Sequence, residues 1–275
     1  MAQTVGAGSL LIAWQLKDKR VLIVGGGEVA SQRIDSLLTT DAKIIVVSPS
    51  DGLNPRTKRF MDEYPDRITY HDRPFSGPEE LEGMDMVLTA LDDVELSRNI
   101  CNVSRNARIA INAADIPDSC DFYFGSQIRD GPLQIMISTN GNGPRMANLV
   151  KKKLQGALSG LEGTTITKVG KLREQLKVRA SGVGGDLGKR RMKWMTGVCN
   201  AWEMEDLASL DDALIQKLLD EGWENDRVPT FSELGGRPKA NLKSAAAASS
   251  FTISPAIGFV AGVMCTLLVV LARRK

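Results

Sequence analysis

Apolar and polar positions follow two different periods along the first 115 residues. Short apolar runs predict five buried strands, at Val21–Val24, Ile44–Val47, Ile68–Tyr70, Met86–Ala90 and Ile109–Asn112. Helical spacing of apolar side chains predicts one helix over Glu28–Leu38 and another over Val94–Asn106. Strands that alternate with helices in this way favour a doubly wound parallel sheet, so the predicted fold class is α/β with a Rossmann-type N-terminal domain.

The pattern changes after residue 115. Phe122–Phe124 and Leu133–Ser138 predict two strands of a small α+β region, and Pro144 is placed to begin a helix. Helical patterns at Thr164–Leu176, Lys189–Trp202 and Ser209–Glu221 then predict a helical region. The resulting division is residues 1–115 (dinucleotide binding), 116–160 (dimerisation and substrate), 161–224 (helical), 225–252 (linker) and 253–272 (membrane span).

Three consecutive glycines join the first predicted strand to the first helix. Gly25, Gly27 and Ala30 match the pattern G-x-G-x-x-G/A in the strand–turn–helix context that makes it meaningful. Gly25 permits the tight turn, Gly27 lets the backbone approach a pyrophosphate, and the amides of Glu28 and Val29 open the helix. The stretch predicts dinucleotide binding through Gly25, Gly26 and Gly27; the alternative is a tight turn without a ligand.

The end of the second strand bears on which dinucleotide is bound. The acidic residue that usually holds the ribose hydroxyls is missing there, and the strand instead runs into Ser48-Pro49-Ser50-Asp51. Ser48 or Ser50 can hydrogen-bond a ribose. Because no arginine stands at the strand end to receive a 2′-phosphate, we favour NAD over NADP.

Polar residues also follow the fourth and fifth strands, and the carboxyl ends of parallel strands share one edge of a sheet. We therefore expect Asp92, Asn112 and Asp115 near the cofactor, with Asp93 beside them. Helix capping is the alternative for Asp92 and Asp93, and a turn before Pro117 is the alternative for Asp115.

A second glycine-bearing loop runs from Ser138 through Thr139 and Asn140 to Arg145 at the predicted start of a helix. Such a loop can hold a carboxylate or phosphate, and Lys151, Lys152 and Lys153 make its neighbourhood basic. A solvated helix face is the alternative for the lysines.

Composition limits the function classes. The formal net charge is +2 over 275 residues, so no nucleic-acid footprint is present. The four cysteines are scattered, which indicates reduced thiols, and the single histidine, His71, excludes a multi-histidine metal site within one chain.

The C-terminal stretch changes the expected location. Residues 253–272 carry no charge and would span about 30 Å as a helix. We expect a single transmembrane helix that anchors a cytosolic enzyme by its tail to an intracellular membrane. A helix docked on the soluble body is the alternative.

Several longer stretches resemble one family. They are Gln15–Arg20, Gly25–Val29, Val47–Pro49, the run NAADIPDSCDFYFG from Asn112 to Gly125, and LQIMISTNG from Leu133 to Gly141. These stretches are similar to the yeast-type siroheme synthases, which combine precorrin-2 dehydrogenase and sirohydrochlorin ferrochelatase activities. The resemblance covers about residues 10–220 and does not extend to the C-terminal apolar segment.

The resemblance implies NAD-dependent oxidation of precorrin-2 to sirohydrochlorin and insertion of ferrous iron. In the family one aspartate serves both steps, and it falls on Asp115, which would also meet the metal transiently. The NAD contacts fall on Glu28-Val29 and Pro49-Ser50.

The resemblance also implies partners. The substrate-side hydroxyl falls on Thr139, and a homodimer is implied around residues 116–160. A separate uroporphyrinogen-III methyltransferase must supply the tetrapyrrole, for whose carboxylates Ser138, Asn140 and Arg145 are further candidates. A monofunctional precorrin-2 dehydrogenase and a non-catalytic NAD-binding sensor are the alternatives.

Overall fold

The computed structural model describes residues 8–236, which divide into two compact units. Within this range the first unit consists of residues 8–128 and 135–157, and the second of residues 129–134 and 158–236. Each unit has a hydrophobic core of its own, because the buried side chains form separate clusters.

A five-stranded sheet forms the centre of the first unit. Its strands are β1 (Arg20–Val24), β2 (Lys43–Val47), β3 (Ile68–His71), β4 (Met86–Thr89) and β5 (Ala110–Ala113). They lie in the order β3-β2-β1-β4-β5, and all four pairings are parallel. The apolar runs of β1, β2 and β4 are buried on both faces, as expected of a covered parallel sheet. The prediction of an α/β fold with a parallel sheet is confirmed.

Helices cover both faces of this sheet. On one face α1 (Glu28–Leu38) and α2 (Pro55–Glu63) pack on a core that includes Ile23 and Leu88. On the other face α3 (Val94–Asn106) packs on a core that includes Val24 and Ile111. The bounds of α1 and α3 agree with their predicted ranges, whereas α2 carried no prediction.

The segment after the sheet differs from its prediction. Phe122–Phe124 forms no strand; its two phenylalanine rings, 5.8 Å apart between centroids, pack instead at the edge of the core beneath α1. The hairpin consists of β6 (Ser126–Asp130) and β7 (Leu133–Ile137). The helix that follows, α4 (Pro144–Ala157), buries Ala147 and leaves four large apolar side chains more than a third exposed, those of Met146, Leu149, Val150 and Leu154. Dimerisation around residues 116–160 stays a prediction.

The second unit is helical. Its helices are α5 (Glu162–Arg179), α6 (Gly185–Ala201), α7 (Met204–Ala208) and α8 (Asp212–Lys217), and α8 continues as a π-helical turn, Leu218–Trp223. The single helix predicted over Ser209–Glu221 is therefore wrong at its start, because Asp211 caps α8 by accepting the Leu214 amide at 2.8 Å. Leu172, Val198 and Leu218 are fully buried in the core between these helices.

Part of the predicted linker belongs to this core. Within residues 225–236, Phe231 and Leu234 are buried, and the indole of Trp202 donates a hydrogen bond to the Pro229 carbonyl at 2.9 Å. The Trp202 and Phe231 rings meet edge to face with centroids 5.2 Å apart. Residues 225–236 therefore pack on the helical core and are not a free linker.

The membrane prediction requires a correction. The predicted span, residues 253–272, lies outside the described residues. Among the helices formed by residues 8–236, none has the length and apolar character needed to cross a bilayer. The transmembrane helix, the membrane partner and the tail-anchored location are accordingly withdrawn.

We predict that Trp202→Phe lowers the free energy of unfolding of the second unit by about 1–3 kcal/mol, because the buried Pro229 carbonyl loses its donor while the ring stays apolar. Urea denaturation of the full chain, followed by circular dichroism, measures the change. Trp14→Phe is the control, since that indole is 42% exposed. Equal stability of the two variants would contradict the packing of residues 225–236.

Candidate active site

Backbone hydrogen bonds continue past the strand ends and fix the edge of the sheet where the predicted site residues lie. The amide of Gly25 donates to Val47 at 2.9 Å, that of Ala90 to Val24 at 2.8 Å, and that of Ala114 to Thr89 at 3.0 Å. The glycine turn and the loops that follow β4 and β5 therefore stand side by side. With strands about 4.8 Å apart, the backbone near Asp115 lies roughly 10 Å from the glycine turn.

The glycine turn meets the requirements of a pyrophosphate cradle. Gly25 has φ +113°, and a Cβ there would lie 2.2 Å from the Ala90 carbonyl oxygen, so only glycine fits. A Cβ at Gly26 would lie 2.5 Å from Leu53. Gly27 is different, because a Cβ there would meet nothing within 4 Å. The turn is thus tight on its protein side and open on the other.

The first turn of α1 is open in the same direction. Gly27 is its N-cap and supplies no side-chain hydrogen bond, so the leading amides of α1 keep their donors for an anion. The exposed Glu28 carboxylate instead accepts from the side chain of Asn54 at 3.0 Å and from that of Gln32 at 3.1 Å. These residues fit a dinucleotide whose pyrophosphate lies on the helix N-terminus.

The loop after β2 lies beside this turn. The amide of Asn54 donates to the Gly26 carbonyl at 2.9 Å, which ties the two loops together. Ser48 is buried, and its hydroxyl lies 3.2 Å from the Pro49 carbonyl, whereas Ser50 is exposed and its amide donates to Asp72 at 2.7 Å. Of the two serines predicted to contact a ribose, Ser50 is the one with its hydroxyl in the open.

The two aspartates after β4 have different roles. Asp93 is the N-cap of α3 and accepts a hydrogen bond from the Leu96 amide at 2.9 Å. For Asp93 the structure therefore shows the helix cap that was the alternative to a place near the cofactor. Asp92 is exposed and makes no hydrogen bond or ion pair to another residue in the described range. Asn112 is buried in β5, and its amide donates to the Phe122 carbonyl at 2.9 Å, so its side chain is committed to the fold.

Asp115 occupies an unusual backbone position. Its φ is +57°, in the left-handed region that a non-glycine residue adopts at a cost of about 1–3 kcal/mol. The residue is exposed, and within residues 8–236 its carboxylate makes no hydrogen bond or ion pair. A strained turn thus presents a free carboxylate at the edge of the sheet.

Cys120, which carried no functional prediction, contacts the backbone on both sides of this turn. Its sulfur accepts the Ala113 amide at 3.3 Å and lies 3.1 Å from the Ala113 carbonyl and 3.4 Å from the Ile116 carbonyl. Burial raises the pKa of the Cys120 thiol, so the group stays protonated and can donate to one of these carbonyls. The residues on both sides of Asp115 are fixed by one side chain.

Arg33 is a second residue near the site that carried no prediction. It projects from α1, and its guanidinium carbon lies 4.0 Å from the centre of the Phe124 ring. Burial lowers the pKa of Arg33, while the negative charge of Asp115 acts in the opposite direction. Its helical spacing from Ala30 and Leu37 could have shown that it borders the buried stripe of α1.

The second glycine-bearing loop is organised by its own polar groups. The Thr139 hydroxyl accepts the Gly143 amide at 3.2 Å, and the Ser138 hydroxyl accepts the Asn140 amide at 3.1 Å. Asn140 has φ +50° and accepts the Ser9 hydroxyl at 2.7 Å. Arg145 is exposed at the start of α4. The loop therefore has a defined shape, and the binding of a ligand by it stays a prediction.

A parallel sheet with a glycine turn at its central strand and an open helix N-terminus defines a dinucleotide-binding α/β domain. Comparison with known families agrees, since the NAD(P)-binding family model matches residues 12–126. The models for the central and C-terminal regions of sirohaem biosynthesis proteins match residues 130–157 and 162–229. The three matches follow one another along the described chain.

Individual relatives point the same way. A siroheme biosynthesis protein of Schizosaccharomyces pombe is 44% identical over 227 residues, which cover 82% of this chain and 84% of the relative. The siroheme biosynthesis protein of Saccharomyces cerevisiae is 29% identical, over 77% of this chain and 89% of its own length. Siroheme synthase 1 of Serratia proteamaculans is 31% identical over 65% of this chain but only 36% of its own length. The chain therefore belongs to the siroheme biosynthesis protein family and is an enzyme of siroheme formation.

A solved structure shares the fold. The structure titled "SirC, precorrin-2 dehydrogenase" matches 78% of this chain and 98% of its own length with a TM-score of 0.60 at 20% identity. The family model supports an NAD(P)-type dinucleotide for this domain, and its binding by the glycine turn stays a prediction.

We predict that Gly27→Ala weakens NADH binding by about tenfold or more, equivalent to ~1.4 kcal/mol of binding free energy, without lowering the melting temperature. The added methyl meets no protein atom and occupies the open side of the turn. Fluorescence titration with NADH measures the affinity.

Two further glycine variants serve as comparisons. Gly170→Ala, in α5, also places its methyl in open space and should bind NADH like the wild type. Gly25→Ala should lose folded protein as well as binding, because its Cβ collides with the Ala90 carbonyl. Unchanged NADH affinity in Gly27→Ala would show that the dinucleotide does not lie on this turn.

Proposed function

We propose that the chain catalyses two consecutive reactions at one site, the NAD-dependent oxidation of precorrin-2 to sirohydrochlorin and the insertion of ferrous iron to give siroheme. The observation that carries the proposal is the free carboxylate of Asp115, presented on a strained turn two strands from the glycine turn. The names of the relatives, siroheme synthases and siroheme biosynthesis proteins, support the choice of substrate.

The dinucleotide would lie on Gly25, Gly27 and the first amides of α1, with its ribose near Ser50. NAD, when bound, supplies the acceptor for the hydride that leaves the substrate. The loop after β2 offers hydroxyls and one carboxylate, and no arginine or lysine stands between Ser48 and Asn54 to receive a 2′-phosphate. This charge distribution favours NAD over NADP.

Asp115 would act as the general base of the oxidation. The substrate loses a hydride and a proton, and the carboxylate accepts the proton. Because Asp115 is exposed and makes no internal hydrogen bond in the described range, it can approach the substrate and pass the proton on to water. Cys120 would keep the turn in the one geometry that aims the carboxylate at the substrate.

The same carboxylate would serve iron insertion. Sirohydrochlorin loses two pyrrole protons as the ferrous ion enters, and Asp115 can accept them in turn. Iron is a substrate of this step. Asp115 would meet the ion only briefly, as the ion enters the macrocycle.

The loop from Ser138 to Arg145 would contribute to tetrapyrrole binding. Precorrin-2 carries eight carboxylates, and these need cations and free amides as partners. Arg145 is an exposed cation at the start of α4, and Thr139 and Asn140 shape the loop that precedes it. The binding of substrate carboxylates by Ser138, Thr139, Asn140 and Arg145 is part of the proposal.

We predict that Asp115→Asn slows both reactions by about 10²–10⁴-fold while NADH affinity is unchanged. Asparagine is the best replacement because it tolerates the left-handed backbone at φ +57° and lacks only the proton acceptor. The full chain is supplied with precorrin-2 and NAD, then with ferrous iron, and visible absorbance follows sirohydrochlorin and siroheme.

Asp118→Asn is the matched control, since Asp118 is nearby but exposed and pairs with Arg98 at 3.0 Å. It should retain both activities. Normal iron insertion by Asp115→Asn would separate the two sites and reject the shared base. A wild-type chain that stops at sirohydrochlorin would be a dehydrogenase alone, and one that leaves precorrin-2 unchanged would overturn the proposed function.

A further inference from the structure

Arg33 is the one arginine of α1, and it lies on the side of that helix that faces the carboxyl end of β5. Its guanidinium stacks on Phe124 and reaches Asn112, whose side-chain oxygen is 3.4 Å away. Asp115 follows Asn112 by three residues and is close enough for its charge to act on Arg33. A cation therefore lies at the same end of β5 as the proposed general base.

The hydrogen bonds of Arg33 are few for its degree of burial. The side chain is half-buried and has five N–H donors, yet it makes a single, long hydrogen bond to Asn112 and no ion pair within residues 8–236. Asn112 does not depend on this contact, since its own amide is bound to the Phe122 carbonyl at 2.9 Å. Most donors of Arg33 therefore have no acceptor in the part of the chain that the structure describes.

Arg67 shows how an arginine that serves the fold differs. It is also half-buried, but its guanidinium donates to the carbonyls of Thr40 and Ala42, with distances of 2.8 and 3.0 Å to Ala42. Its donors thereby close the loop before β2. Among the described residues, Arg33 bonds no backbone carbonyl in this way. Its partial burial is therefore unfavourable for the fold, because a partly buried charge without a partner costs free energy.

The stacking arrangement leaves one direction open. The Phe124 ring lies against the guanidinium on one side, so the N–H groups that point away from the ring remain available to an acceptor. A planar guanidinium binds a carboxylate through two parallel hydrogen bonds. A carboxylate there would also offset the burial that lowers the pKa of Arg33.

We infer that Arg33 is a substrate-binding residue, whose guanidinium binds a peripheral carboxylate of the tetrapyrrole and so sets the macrocycle against Asp115. This inference rests on the proposed function, because it takes the substrate to be a polycarboxylate. Asp115 itself does not occupy the guanidinium, since the two side chains form no ion pair. Precorrin-2 and sirohydrochlorin carry the same carboxylates, so Arg33 serves both steps.

The test is Arg33→Met, which keeps an apolar stem over Phe124 and removes the charged donors. Binding of sirohydrochlorin to the full chain is measured directly, by the change in its visible absorbance, so that no turnover is needed. We expect the dissociation constant to rise by about tenfold to hundredfold. NADH affinity and melting temperature should stay at the wild-type values, and KM for precorrin-2 should rise while kcat changes little.

Arg56→Met is the matched control, because Arg56 lies 5.2 Å from the centre of the Phe60 ring but is paired with Asp35 at 2.8 Å. It should bind sirohydrochlorin normally, and Arg33→Lys should recover part of the lost affinity. Unchanged sirohydrochlorin binding by Arg33→Met would overturn the inference. So would a loss of NADH affinity and stability as large as the loss of sirohydrochlorin affinity. So would a wild-type chain that does not bind sirohydrochlorin. A wild-type chain that binds sirohydrochlorin but performs neither reaction would contradict the proposed function alone, and the Arg33 comparison would still stand.

Discussion

The pairing of β1 with β2 and with β4 is the constraint on which the site depends. Parallel register places the carboxyl ends of these strands and of β5 at one edge, and the ladder runs one residue further, through the amides of Gly25, Ala90 and Ala114. A slip of one residue would turn every side chain of a strand to the other face and bury charge in the core. The hydrophobic pattern that protects the core thereby also fixes the distance from the glycine turn to Asp115.

Two positions on this edge depart from ordinary backbone geometry, and both belong to the proposed chemistry. Gly25 takes φ +113° against the Ala90 carbonyl, and Asp115 takes φ +57° although its side chain would favour another region. The first is free for glycine, whereas the second has to be imposed by its surroundings. Cys120 provides part of that support by bonding to the backbone on both sides of Asp115. The carboxylate that we propose for both reactions is thus held by the backbone and left free at its oxygens.

The strands, α1, α3 and the glycine turn could be read from the sequence because burial on both faces leaves an unbroken apolar run and a clear helical period. The missed α2 buries only Thr57 and Phe60, so it has hardly any apolar stripe. Phe122–Phe124 has the composition of a strand. Its phenylalanine rings pack instead against the core under α1, and the Phe122 carbonyl accepts a hydrogen bond from Asn112, two contacts that composition cannot reveal. Residues 225–236 have a linker's composition, yet two apolar side chains, Phe231 and Leu234, decide their packing. The position of Asp115 at the sheet edge was predictable from topology. The contact of Arg33 with Phe124 was not, because it depends on the tertiary structure.

Asp115 is exposed and Arg33 is half-buried, and each environment suits the role proposed for the residue. A base must change its protonation state in every cycle, which requires exchange with water, and Asp115 is exposed. A binding cation should not change its charge, and an arginine stays protonated even where burial lowers its pKa, as it does for Arg33. Stacking on Phe124 limits the rotamers of Arg33 before a ligand arrives, so less conformational entropy is lost on binding. If Arg33 binds substrate as inferred, the aromatic run after β5 contributes to the proposed site by orienting the arginine, although none of its rings carries chemistry.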